Sequence, residues 1–335
     1  MSCLVVVGGF YGDEGKGKII AYLAKRDNPT VAVRGGVGPN AGHTFTFEGK
    51  EYKVRMLPSA VLNPTTKLLI GAGVLVNPKV LLEEIGRFHA DDRTFVDSQC
   101  GIIEQRHIDY DIKEDYLKSK VGTTGSGTGP ANADRALRKL KLARDLPELS
   151  LYIEDVSNSV NYALHNNESV IVEGTQGTYL SLLHGGYPYV TSSDVTASGI
   201  CSHIGIGPKR VDEILVVFKA YVTRVGGGPL ENELSEEEAR KRGWIEHGSV
   251  TGRRRRTAPF DIELAKKAIR INSATQLAVT KLDVVFPQSS GLREYTKLPE
   301  EAKKFIKNIE DETGLKVTLI GTGKEVYDII DRRSS

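Results

Sequence analysis

Residues 4–18 read LVVVGGFYGDEGKGK. The apolar run 4–7 predicts a buried strand that stops at Gly8-Gly9, and residues 19–24 (IIAYLA) predict a helix. Between them lie Gly12, Asp13, Glu14, Gly15, Lys16, Gly17 and Lys18. Glycines let the chain turn tightly and bring backbone N–H groups to one point. A helix N-terminus adds partial positive charge there, and Lys16 and Lys18 add full charges. The stretch therefore predicts a cradle for phosphates. It is not a Walker A loop, because the spacing from Gly9 to Gly15-Lys16 is one residue too long and Gly17 stands where Ser or Thr would meet Mg²⁺. A carboxylate repels phosphate, so Asp13 makes sense there only as a cation ligand or a proton acceptor.

Outward from this loop, strands and helices alternate. Residues 31–33, 67–70, 169–172, 214–218, 277–280 and 317–320 predict further strands. Residues 79–89 and 260–271 predict amphipathic helices, and Ala302, Phe305, Ile306 and Ile309 form one apolar stripe. The expectation is an α/β fold: a large, mostly parallel sheet flanked by helices, P-loop-NTPase-like, with long functional loops after the strands. With no clear linker, residues 1–335 are expected to form a single domain.

Composition excludes several classes. Lys plus Arg total 45 against 43 Asp plus Glu, a net charge of +2, which argues against a bulk nucleic-acid binder. No apolar run approaches the ~18 residues of a membrane span. Cys3, Cys100 and Cys201 are few, odd in number and far apart, so neither a disulfide scaffold nor a zinc site is expected. Free thiols, and an N-terminus that does not read as a secretory signal, predict a cytoplasmic location.

Polar clusters follow the strands. Arg34 leads into a glycine-rich loop ending Asn40-Ala41-Gly42-His43-Thr44, whose small residues allow close approach of a ligand to His43. Residues 122–130 (GTTGSGTGP) alternate hydroxyls with glycines, include Thr124, and are followed by Arg135 and Arg138. Residues 173–177 (EGTQG) offer Gln176, donor and acceptor at once. Residues 188–194 supply Thr191, and 253–256 form the densest charge run. Such a run is by default a solvated or nucleic-acid-contacting face. The Thr251-Gly252 turn before it suggests guanidinium forks aimed at carboxylates or phosphates instead. Lys281-Leu282-Asp283 closes a strand, and a carboxylate there can accept both N–H groups of a guanine edge.

Taken in order, the blocks GDEGKGK, NAGHT, TTGSGTGP, EGTQG, YPYVTSS, KAYVTRVGGGP, TGRRRRT and TKLDV resemble those of the adenylosuccinate synthetase family, and the chain is similar to its compact archaeal form. The resemblance implies GTP-dependent ligation of IMP and L-aspartate to adenylosuccinate through a 6-phosphoryl intermediate, with Mg²⁺, on the route from IMP to AMP. It implies Asp13 as general base and metal ligand, His43 as general acid or electrostatic partner, and the Gly42 carbonyl as second metal ligand. By the same resemblance, residues 12–18 and 42–44 hold the GTP phosphates. Asn40, Ala41, Thr124, Gln176, Thr191 and Arg253 meet IMP, and Arg138 reaches IMP across a homodimer interface. Ser249, Val250, Thr251, Gly252, Arg253, Arg254 and Arg255 form the aspartate loop, with Arg255 also near the GTP phosphates. Lys281, Leu282 and Asp283 read guanine, and Gly321, Thr322 and Gly323 close over the base. The chain departs from the family pattern at Ser126, at Val250-Thr251, at Ala258-Pro259 and in the short GTGKE segment. Two other readings stay open on residues alone: an ATP-using ligase, and a GTP switch or RNA-binding module contacting through the arginine run.

Overall fold

The computed structural model describes residues 3–248 and 252–333. Ser249, Val250 and Thr251 therefore lie outside the described residues. Ten strands form the central sheet: β1 (Cys3–Gly8), β2 (Val31–Arg34), β3 (Lys67–Ile70), β4 (Thr94–Asp97), β5 (Ile153–Glu154), β6 (Val170–Glu173), β7 (Glu213–Lys219), β8 (Gln276–Thr280), β9 (Val317–Gly321) and β10 (Ile329–Asp331). Their order is β10-β9-β8-β7-β1-β6-β2-β3-β4-β5. Every pairing is parallel except β9 with β10. The seven strands predicted from apolar runs all lie in this sheet. The three that escaped, β4, β5 and β10, are short and partly polar, so no apolar run marks them.

Both faces of the sheet are covered, which is why its strands read as near-continuous apolar runs rather than alternating ones. Alternation reappears in packing. Val5 and Val7 of β1 join a core with Val33, Val172, Val216 and Val279. Leu4 and Val6 join the opposite core with Ala32, Ile171, Leu215 and Ala278. Helices Val156–His165, Ala197–Ile204, Ile262–Asn272 and Glu300–Thr313 bury residues in the first core. Helix α1 (Lys16–Asp27) and helix Pro78–Phe88 bury residues in the second. The expected helix over 260–271 begins two residues later, because the Asp261 side chain accepts the Leu264 N–H at 2.9 Å and caps it.

β1 lies inside the sheet, with β6 on one side and β7 on the other. The phosphate-loop segment leaves its carboxyl end, where open α/β sheets bind ligands. A Cβ on Gly9 would stand 2.1 Å from the Phe218 ring, so only glycine fits. Phe218 begins a row of rings: Phe10 lies 4.8 Å from it, Phe260 5.3 Å from Phe10, Phe305 5.5 Å from Phe260, and Phe286 5.6 Å from Phe305.

Candidate active site

One cavity of about 590 Å³ opens at the carboxyl ends of the central strands. It gathers Gly12, Asp13, Gly15, Lys16, Gly17, Lys18, Asn40, Ala41, Gly42, His43, Thr44, Thr124, Gln176, Thr191, Arg253, Arg255, Lys281 and Gly323. These come from every polar cluster that the sequence marked. Glu14, Arg138, Gly252, Arg254, Leu282, Asp283, Gly321 and Thr322 do not line it.

The loop is built around Glu14, which serves its own backbone and is only 1% exposed. Its carboxylate accepts from Phe10 N at 3.0 Å, Gly12 N at 2.8 Å and Lys16 Nζ at 2.8 Å. Lys16 also donates to the Gln176 carbonyl, tying the loop to the segment after β6. Thr280 Oγ1 donates to the Glu14 carbonyl at 2.5 Å and fixes the loop to β8. Asp13 is left in the left-handed region, φ 60°, a position that costs a non-glycine residue energy. Lys18 Nζ reaches across to the carbonyls of Gly323 and Asp328, at 2.7 Å each. Burial pulls its ammonium down to about 8.

His43 begins the hairpin strand His43–Phe47 and meets a carboxylate that the sequence reading placed only within a block. Its Nδ1 pairs with Oε1 of Glu173. The same oxygen accepts from Arg34 Nη1 at 3.0 Å and Ser59 Oγ at 2.9 Å, and Oε2 accepts from Ser59 N at 2.6 Å. Burial acts to raise the Glu173 carboxyl, but its pairing with His43, the Arg34 charge and the Ser59 amide outweigh it and hold it ionised. Burial pulls the His43 imidazole below its ordinary value against the pull of Glu173.

A second charged cluster surrounds Asp13. Arg255 Nε stands 3.0 Å from Asp13 Oδ2, and its Nη1 pairs with Glu246. Glu246 also takes Lys219 Nζ at 2.9 Å and the Tyr221 hydroxyl. Burial would raise the Glu246 carboxyl, and the Lys219 and Arg255 charges more than reverse that. Burial pulls the Lys219 ammonium down. Glu246 and Lys219 carried no sequence signal of their own, since one sits among surface-like charges and the other ends a strand.

Elsewhere the loops brace one another. Asn40 Nδ2 donates to Thr191 Oγ1 at 3.3 Å. Thr124 Oγ1 donates to Ser126 Oγ at 3.0 Å, so the serine at the departure position supports a neighbour. Arg253 Nη2 donates to the carbonyls of Gly122 and Thr123 at 2.8 and 2.9 Å. The arginine run alternates: Arg253 and Arg255 face the cavity, while Arg254 pairs with Glu236 at 2.8 Å and Arg256 with Glu233. Arg254, expected to meet substrate, does not line the cavity. Arg138 is exposed, with φ 59°, and lies off the cavity of its own chain. Lys281, φ 59°, turns the chain into the short helix Leu282–Val285 that carries Asp283. Oδ1 of Asp283, Oδ1 of Asn40 and Oγ1 of Thr44 are buried with no hydrogen-bond partner among the described residues. A buried acceptor without a partner is costly, and a ligand's N–H or O–H would relieve it.

The Asp13 carboxylate and the Gly42 carbonyl are hard oxygen donors. One carboxylate with substrate phosphates is a usual setting for Mg²⁺, so these residues fit that ion. No helix of the described residues is long and apolar enough to cross a membrane.

Sheet, phosphate loop and cavity together define an α/β enzyme of the nucleotide-dependent class. The adenylosuccinate synthetase family model matches residues 5–148 and 140–288. An adenylosuccinate synthetase of Methanocaldococcus jannaschii is 53% identical over 337 residues, covering 100% of this chain and 98% of the relative. One of Pyrococcus horikoshii is 52% identical over 338 residues, covering 100% of both. The fully ligated adenylosuccinate synthetase of Plasmodium falciparum superposes with a TM-score of 0.90 at 28% identity, covering 98% of this chain and 99% of that one. The cyanophage S-2L succinoaminodeoxyadenylate synthetase, bound to dGMP and dATP as energy donor, gives 0.82 at 25% identity, covering 99% and 95%. The chain belongs to the adenylosuccinate synthetase family, whose members are GTP-dependent carbon–nitrogen ligases of purine biosynthesis.

Proposed function

We propose that this chain joins IMP and L-aspartate to form adenylosuccinate, releasing GDP and phosphate, on the route from IMP to AMP. The observation that carries this reading is the meeting of Asp13, His43, the loop lysines and the unpartnered oxygens of Asn40 and Thr44 at one cavity. The 6-oxygen of hypoxanthine is a poor leaving group, so it must first be activated. Asp13 takes the N1 proton, and charge moves onto O6. O6 attacks the γ-phosphorus, the bond to the β,γ-bridging oxygen breaks, and 6-phosphoryl-IMP forms. His43 faces the cavity through Nε2; with its other nitrogen held by an ionised Glu173, it takes a second proton at Nε2 as the phosphates arrive and donates it to oxygens on which charge builds. The aspartate amine then displaces phosphate at C6.

Asp13 and Gly42 would hold Mg²⁺ with the phosphate oxygens; bound there, the ion neutralises charge on the transferred group. Lys16 and Lys18 serve the same end of the nucleotide. Asn40, Ala41, Thr124, Gln176, Thr191 and Arg253 take IMP, and the 249–255 segment takes aspartate. Asp283 and Lys281 read guanine, with residues 321–323 beside them. The cyanophage relative with dATP belongs to the same fold, so purine choice rests on such side chains and not on architecture. Arg138, exposed and off its own cavity, fits a role in a partner's site in a homodimer. Residues 1–335 act as a single domain, in the cytoplasm.

The test is an omission series: protein, IMP, GTP, Mg²⁺ and L-aspartate, each left out in turn. Product must require all four small components. Formation with ATP alone, or without aspartate, would refute the reading.

A further inference from the structure

We infer that Glu173 is a positioning residue for the reaction, fixing the proton of His43 on Nδ1 and turning Nε2 to the cavity. The inference rests on the reading of His43 given above. Glu173 is 0% exposed, so it touches no substrate and can act only through its neighbours. Its four contacts saturate it: Arg34 Nη1, Ser59 Oγ and His43 on one oxygen, and Ser59 N on the other. A carboxylate held by that many donors is acceptor-only and cannot turn.

The surroundings of Nδ1 then admit one arrangement. Arg34 Nη1, 3.5 Å away, is a donor and can take nothing from the ring. Ser59 Oγ, 3.3 Å away, already gives its proton to Glu173. Glu173 is the acceptor left for a protonated Nδ1. Nε2 has no partner among the described residues, and His43 lines the cavity. Gly17 packs against the stem of the ring, where a Cβ would stand 2.7 Å from His43 Cβ, so α1 leaves the His43 backbone no room to shift toward it. Backbone packing fixes where the imidazole sits, and Glu173 fixes which nitrogen works. Neither Arg34 nor Ser59 was marked in the sequence as part of this device.

The test has two arms. In ligand-free wild-type protein with ¹⁵N-labelled histidine, His43 is assigned by its loss in His43→Asn. Nδ1 should give the shift of a protonated nitrogen; an unprotonated Nδ1 overturns the inference. In the second arm, Glu173→Gln should lower kcat by at least about 10-fold, as loss of an orienting carboxylate does elsewhere, with KM for IMP and GTP within about 3-fold. Added to His43→Asn, the same change should cost nothing more. An equal further loss in the double variant would make Glu173 merely structural and overturn the inference. If Glu173→Gln does not fold, the wild-type spectrum decides alone. If His43→Asn keeps full turnover, the reading of His43 fails, and the spectrum still judges what Glu173 does.

Discussion

Arg255 Nε lies 3.0 Å from Oδ2 of Asp13 while its Nη1 pairs with Glu246. The proposed base is therefore already matched with a cation before any ligand arrives, and it must exchange that partner for the N1 proton of hypoxanthine. The Asp13 side chain is 28% exposed, so it contributes little to folding. Asp13→Asn should keep the thermal midpoint near that of the wild type and lower turnover by ~10²–10⁴. Steady-state rates beside a melting curve check this, and a variant with near-normal turnover would sink the base assignment.

Asp283 keeps one buried carboxylate oxygen without a partner among the described residues. A hydrogen bond to a charged group contributes ~1.5–3 kcal/mol. Asp283→Asn should therefore raise KM for GTP by roughly 10–100-fold and narrow the gap between GTP and other purine triphosphates. Unchanged GTP saturation would remove Asp283 from the base site.

His203 ties two loops of the cavity, accepting the Gly36 N–H at 3.0 Å and meeting Ser193 Oγ at 3.1 Å. Burial pulls its imidazole from 6.5 to about 4. The unfolded chain thus takes a proton near pH 6.5 that the folded chain refuses until about 4. Stability from this group is complete above 6.5 and falls as the pH drops through that window. At pH 5 the loss should be about 2 kcal/mol relative to pH 7. Urea midpoints at the two pH values, compared with His203→Asn, isolate it; equal slopes in both proteins would contradict the assignment.

Gly9→Ala places a methyl group 2.1 Å from the Phe218 ring. Overpacking of this kind costs about 1–3 kcal/mol, and here it also displaces the loop. Lower stability and weaker GTP binding should appear together in unfolding and titration experiments. Loss of one without the other would show that the ring does not support the loop.

Arg138 should be needed by the partner's site rather than its own. Arg138→Ala and Asp13→Asn should each be inactive, and mixing them under subunit exchange should restore up to roughly a quarter of wild-type activity, because each hybrid dimer holds one intact site. No recovery in exchanged mixtures would place Arg138 outside the shared site.

Much of this was legible in the chain. Seven apolar runs gave seven strands, since strands buried on both faces announce themselves by continuous Val, Ile and Leu. The phosphate loop, Asn40, His43, Gln176 and Arg253 were marked because glycines and hydroxyls clustered after those strands. Glu173 and Lys219 were marked only as members of longer blocks and Glu246 not at all, because their importance comes from partners brought in by the fold: Glu173 lies 130 residues from His43. Short outer strands escaped for want of apolar length.

The row from Phe218 through Phe10, Phe260 and Phe305 to Phe286 gives the nucleotide loop a stiff aromatic keel running to the last long helix. Its far end is distant from any reacting atom, yet trimming Phe305 would loosen the floor on which Gly9 rests. Wear at the tail of the polypeptide would thus be read out at its head, as a phosphate grip gone slack.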